Sequence, residues 1–234
     1  MTLRFALLDA SHGAEHTRRN FRRELDADLA EFDVTDGDLP ATFDYDGVVV
    51  TGSRSSVYGD EAWIAPLVDW VAEAADRDLP ILGVCYGHQV LAEALGGRVE
   101  DMDELELGYR EVTHYGDDLF TGIDETFTVF TTHSDHVTEL PPGATLLAEN
   151  DYGVQAFRRE ECWGVQFHPE YDRTTAEEVA RGKDVHEDRL RDVLGGINPW
   201  NYEAACEAKR LFDNFTRYVR RQEKSETESD SAPA

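Results

Sequence analysis

The segment Pro80-Ile81-Leu82-Gly83-Val84-Cys85-Tyr86-Gly87-His88-Gln89 carries the residue types best suited to covalent chemistry. An apolar run that reads as a buried strand ends at a cysteine, and a helix begins at once. A tight strand-to-helix turn lifts a side chain out of a sheet and exposes it at the C-terminal edge. The helix N-terminus adds unpaired N–H groups and partial positive charge. Both favour thiolate, the nucleophilic form of cysteine, and the same N–H groups can hold an oxyanion. Gly83 and Gly87 flank the turn and let the backbone pass closely. The spacing alone is equally compatible with a buried structural cysteine.

A second segment, Gly164-Val165-Gln166-Phe167-His168-Pro169-Glu170, supplies what such a cysteine needs. A strand ends and presents His168, and Glu170 two residues on can face the same side. A cysteine nucleophile requires a base, and the base requires an orienting acceptor. His168 and Glu170 fit those roles. Alone, a histidine at a strand end is more often structural; the cysteine turn reverses that balance.

Together, Cys-Tyr-Gly-His-Gln and, about eighty residues later, Gln-Phe-His-Pro-Glu resemble the signature of class I, triad-type glutamine amidotransferases. The resemblance runs from about residue 4 to 172 and is weaker in the C-terminal helices. It implies a Cys85-His168-Glu170 triad and an oxyanion hole from the amides of Tyr86 and Ser53. It also implies a glutamine site that includes Gly52, Gln89 and the His133-Ser134-Asp135 segment. Thr51-Gly52-Ser53-Arg54-Ser55-Ser56-Val57-Tyr58 departs from the family's Gly-Gly-Pro-like loop, with Ser53 for the second glycine and Arg54 for proline. This variant is similar to stand-alone amidotransferases that resemble the glutaminase part of GMP synthase. No metal or cofactor is implied for the glutaminase reaction.

Other readings of these residues stand beside that one. Gln89 could be a solvated helix position, and His133 and Asp135 a capped loop between two strands. Gly108-Tyr109-Arg110 falls where the family has a pair near the glutamine pocket, but suits a core strand equally. Ser11-His12-Gly13 reads as a turn at a strand end. Asp101, Asp103, Glu104 and Glu106 read as a solvated face before a cation site. Cys162 and Cys206 read as inert core residues, and Trp200 and Tyr202 as anchors for the last helix.

The elements that must position these groups alternate at first. Strands are expected at Arg4–Ala10, Glu31–Thr35, Gly47–Thr51 and Ile81–Val84, with helices at 14–28, 60–77 and 86–95. Strand–helix alternation with continuous apolar strands predicts a parallel sheet covered by helices on both faces. The middle reads as short antiparallel strands at 107–115, 126–132, 144–150, 154–159 and 162–167, and helices follow at 174–194 and 202–222. The expected fold is α/β: a mostly parallel central sheet with helices on both faces plus a smaller antiparallel section, flavodoxin-like in the family resembled. One domain is expected over 1–222, with C-terminal helices at 176–222 and a disordered acidic tail at 223–234.

Composition bounds the partners. Asp and Glu total 49 against 22 Lys and Arg, a formal net charge of −27. This disfavours nucleic acid and anionic membrane surfaces. The acids are spread along the chain and only three lysines occur, Lys183, Lys209 and Lys224. That balance resembles proteins of salt-loving archaea. The N-terminal apolar stretch is too short for a signal peptide, and no run approaches a membrane span, so a cytoplasmic protein is expected. The expected activity is hydrolysis of the glutamine side-chain amide through a glutamyl thioester. The segment after Glu170 shows no Gly-rich phosphate loop, so ammonia transfer implies a partner synthetase subunit, the acceptor being unread. A γ-glutamyl hydrolase, the glutaminase subunit of GMP synthase and a non-catalytic regulatory homologue are the alternatives.

Overall fold

The parallel strands form where the sequence is apolar without interruption. In the computed structural model, which describes residues 2–230 with side chains to Glu223, β1 (Arg4–Asp9), β3 (Gly47–Val50), β4 (Ile81–Val84) and β9 (Cys162–Val165) run side by side, with β2 (Asp28–Asp33) at the edge. All pairings among these five are parallel. Period-two alternation sorts their side chains. Phe5 and Leu7 join Phe21 of α1 (Glu15–Glu24) and Phe212 and Phe215 of α7 (Arg210–Asp230) on one face. Ala6 and Leu8 join Leu67 and Val71 of α2 (Ile64–Asp76) and Val90 and Leu91 of α3 (Tyr86–Ala94) on the other. Both faces are thereby covered by helices, as the alternation of elements predicts.

The sheet continues as an antiparallel section through β8 (Gly153–Arg159), β7 (Thr145–Asn150), β5 (Arg98–His114) and β6 (Thr126–Glu139), giving the order β2-β1-β3-β4-β9-β8-β7-β5-β6. β9 joins the two parts, parallel to β4 and antiparallel to β8. Two helices, α4 (Arg173–Arg181) and α5 (Glu187–Gly196), lie against the β5–β6 hairpin through Leu107, Phe130, Ala176 and Ala180.

Several boundaries differ from the sequence expectation. The first helix stops at Glu24 rather than Asp28, because Leu25 is extended and the Asp28 N–H bonds the Leu3 carbonyl, starting β2 three residues early. β5 and β6 form a far longer hairpin than 107–115 and 126–132. Their outer residues are rich in acids, and only cross-strand pairing, interrupted at Asp101/Glu106, makes them strands. The helix expected over 174–194 is two, broken around Gly182-Lys183-Asp184. The helix expected over 202–222 is α6 (Pro199–Ala205), capped by the Asn198 side chain, then a short turn and α7. α7 passes the Gln222 boundary to Asp230, since Glu and Lys occur there and no glycine or proline stops the helix. Residues 231–234 of the expected tail lie outside the described residues. Trp200 does not anchor the last helix; it is 84% exposed.

Candidate active site

Parallel strands deliver their C-terminal ends to one edge, and the loops after β1, β3, β4 and β9 meet there. Cys85 follows β4 and caps α3 with φ 55° and ψ −103°, a conformation side-chain-bearing residues rarely hold. Its N–H bonds the Val165 carbonyl (2.8 Å), and its carbonyl accepts from the N–H groups of His88 (3.0 Å) and Gln89 (3.2 Å). Only glycines permit the turn: a Cβ on Gly83 would overlap the Gly87 carbonyl, and one on Gly87 the Val50 carbonyl. The turn therefore stands upright because α3 is pressed against β3.

His168 arrives just beyond β9, its N–H held by the Phe130 carbonyl of β6 (2.9 Å). Its Nδ1 lies 2.8 Å from Glu170 Oε1, and its ring lies beside Cys85 beneath the Gly52 loop. All three side chains are at most 5% exposed. Burial by itself would lower the His168 pKa. The charges of Cys85 and Glu170, with the Glu170 hydrogen bond, outweigh burial and raise it from 6.5 to about 10. The Tyr171 ring stacks on His168 at 4.1 Å and 21°, and Arg23 of α1 donates to the Glu170 carbonyl (2.6 Å).

The loop after β3 closes the corner. Gly52 sits so tightly there that a Cβ would lie 2.9 Å from His168 Cε1 and 3.7 Å from Cys85 Cβ. Among the described residues, neither the Ser53 nor the Tyr86 N–H donates to a protein acceptor. The loop is pinned from β6: the hydroxyls of Ser56 (2.6 Å) and Tyr58 (2.8 Å) donate to the two carboxylate oxygens of Asp135. A cleft of about 210 Å³ opens over this corner, lined among others by Ser11, Gly52, Ser53, Thr132, His168 and Lys183.

A family model described as "Glutamine amidotransferase class-I" matches residues 7–183. The chain belongs to the class I glutamine amidotransferases. Similar curated proteins are the glutamine-hydrolysing GMP synthase of Vibrio vulnificus, 34% identical over 212 residues that cover 87% of this chain and 38% of that protein, and that of Azoarcus, 34% identical over 196 residues, 79% and 36%. The chain thus spans little more than a third of the length of these relatives. Among solved structures, a glutamine amidotransferase from Thermotoga maritima superposes with a TM-score of 0.77 at 22% identity, covering 92% of this chain and 99% of that one. One from Methylobacillus flagellatus gives 0.69 at 21%, covering 92% and 94%. These last two likenesses speak to the fold.

In this amidotransferase, Cys85, His168, Glu170, Gly52, Ser53 and Tyr86 converge. Gln89 is not a solvated helix position but 3% exposed. His133 and Asp135 are not a capped loop; they lie inside β6. Each is fully engaged by protein, His133 through Nε2 to Glu106 (2.6 Å) and Nδ1 to the Asp135 carbonyl (2.9 Å), Asp135 through Ser56 and Tyr58. They build the wall rather than offer free polar atoms. Ser134 is exposed, on the face of β6 that carries Thr132. Glu106 is no part of a solvated acidic face: it is fully buried and also accepts from Asn150 (2.8 Å) and Gln155 (3.2 Å). Among the described residues no group of three or more His, Cys, Asp or Glu could hold a metal ion. Cys162 is buried, and burial pushes its thiol up to about 12, so it stays protonated at neutral pH. Sequence reasoning read Glu106 only as one of four solvated acids and gave no role to Gln166, Tyr171 or Arg23. Gln166 sits inside a motif already singled out, but nothing in the spacing says that its side chain turns back toward Cys85.

Proposed function

We propose that this chain hydrolyses the side-chain amide of glutamine with Cys85 as nucleophile, His168 as proton carrier and Glu170 as the group that orients the imidazole. The observation that carries this reading is the strained cysteine at the N-terminus of α3, beside a buried histidine whose Nδ1 faces a buried carboxylate at 2.8 Å. A raised His168 pKa favours the imidazolium at neutral pH, the acid the leaving nitrogen needs. The thiolate attacks Cδ of glutamine, and the oxyanion takes the N–H groups of Tyr86 and Ser53. The imidazolium protonates the departing nitrogen, which leaves as ammonia and yields a glutamyl thioester. Water then attacks the thioester and gives its proton to His168. The C–S electrons return to sulfur and glutamate is released.

Arg54 and Lys183 line the cleft and have no acidic partner among the described residues. In a chain with 49 acidic residues such basic groups suit a substrate that carries a free α-carboxylate, as glutamine does. The chain spans 38% of the V. vulnificus GMP synthase it resembles. That likeness supports a second element of the reading: ammonia passes to a synthetase partner, for which a GMP synthase amination unit is the candidate. The test is ammonia release from glutamine in molar salt, with Cys85→Ser as control. Release that disappears in the variant supports the reading. No release with or without cell extract refutes it, and faster turnover of γ-glutamyl peptides than of glutamine would reassign the enzyme as a γ-glutamyl hydrolase.

A further inference from the structure

Gln166 is fully buried between Val165 and the triad histidine's segment, and its Nε2 lies 3.8 Å from Cys85 Sγ. Amide nitrogen and oxygen are alike in outline, so the orientation of a glutamine rests on its partners. Here the partners leave no choice. The Asp135 backbone carbonyl can only accept, and it receives Gln89 at 3.0 Å, so the Gln89 atom facing it is the amino group. The same amino group faces Gln166 at 3.2 Å, so Gln166 presents its oxygen there. The remaining atom of Gln166, its N–H₂, is therefore the one turned to the sulfur. The carbonyl at the head of this chain is itself held, since His133 Nδ1 donates to it and His133 is backed by Glu106.

We propose that Gln166 is a second hydrogen-bond donor to the Cys85 thiolate, beside His168, aimed by the Asp135 carbonyl through Gln89. This rests on Cys85 being the nucleophile, as read above. A donor to sulfur favours the charged form. Its use is greatest when the thioester breaks. His168 is then taking a proton from water, and the electron pair of the C–S bond returns to sulfur. Gln166 meets that charge with a donor that carries no titratable proton, so its support does not vary with the state of His168.

The test is alkylation of Cys85 by iodoacetamide as a function of pH, with thiolate absorbance near 240 nm, on the full chain in molar salt. Gln166→Glu keeps the acceptor for Gln89 and loses the donor; Gln166→Met loses both and adds no charge. Both are expected to alkylate about tenfold more slowly at pH 7, with the profile moved to higher pH. Gln89→Met, which does not touch the sulfur, is expected to give a smaller loss of the same kind. Wild-type rates and profiles in both Gln166 variants would overturn the role of Gln166 alone. Labelling in the wild type that does not favour Cys85 over Cys162 and Cys206 would overturn the nucleophile assignment and this proposal with it.

Discussion

Replacing Gly52 by alanine tests how finely the loop, Cys85 and His168 are set against one another. The backbone at Gly52 lies outside the left-handed region, so alanine brings no conformational strain; the effect is one of space. The new methyl would lie 2.9 Å from His168 Cε1, where ordinary contact begins at 3.4 Å, so the ring must give way by about 0.5 Å. It cannot do so freely. Tyr171 is stacked behind it at 4.1 Å, and Nδ1 is held by Glu170 at 2.8 Å. The ring moves off its line to the sulfur or stretches the bond that orients it. A misplacement of about 1 Å costs roughly a hundredfold in rate, so half that shift predicts a loss of about tenfold in kcat, about 1.4 kcal/mol of barrier. Overpacking of about 1–3 kcal/mol is partly offset by the entropy alanine removes from the unfolded chain, about 0.4–1 kcal/mol. The thermal midpoint should therefore fall only by a few degrees. The assay is steady-state ammonia release in molar salt beside a thermal melt. A kcat within twofold of wild type would refute the argument that Gly52 sets the His168–Cys85 geometry.

Three further outcomes follow from the same coordinates. His168 has a folded pKa of about 10 against 6.5 for the free group, so the folded state holds its proton more tightly than the unfolded chain. The resulting stabilisation is complete below about pH 6.5 and is lost as pH rises through 10; the unfolding free energy of wild type minus that of His168→Gln should shrink over that window, and a difference that grows with pH contradicts it. Asp135→Ala frees Ser56 and Tyr58 and with them the loop that carries Ser53. Hydrogen bonds to a charged acceptor contribute about 1.5–3 kcal/mol, so kcat/KM should fall at least tenfold while Cys85 alkylation is little changed; the reverse pattern would remove the loop-pinning role. Finally, a net charge of −27 repels itself across about 30 Å at 0.01 M salt and about 3 Å at 1 M. The thermal midpoint should climb by at least about 5 °C between those conditions, which corresponds to roughly 1–3 kcal/mol in a chain of this size; a flat or falling midpoint would dispose of the salt-adapted reading.

How much was legible beforehand differs by element. The buried strands β1, β3, β4 and β9 could be read because a strand covered on both faces must be apolar throughout. The outer halves of β5 and β6 could not, because acids such as Asp101 and Asp103 have no strand preference of their own and become strand only by pairing. The break at Gly182-Lys183-Asp184 was hidden by a helical pattern on either side of it. Gln89 was read as a site candidate but for want of a partner could not be told from a surface residue; its side chain is buried against the Asp135 carbonyl, 46 positions away.

The sequence by itself determined the chemistry available to this amidotransferase. A cysteine between a buried strand and a helix, a histidine at a strand end and a carboxylate two residues on are local facts, governed by the period of strands and the steric demands of Gly83 and Gly87. Only the tertiary structure decided the parts that depend on distant segments meeting. Glu106 became a buried acceptor rather than one more surface acid, Asp135 became the anchor of the Ser53 loop, and Gln166 was turned toward the sulfur by a backbone carbonyl across the sheet. A hydrogen bond has direction and needs both partners in place, and sequence spacing carries neither once the partners lie on different strands.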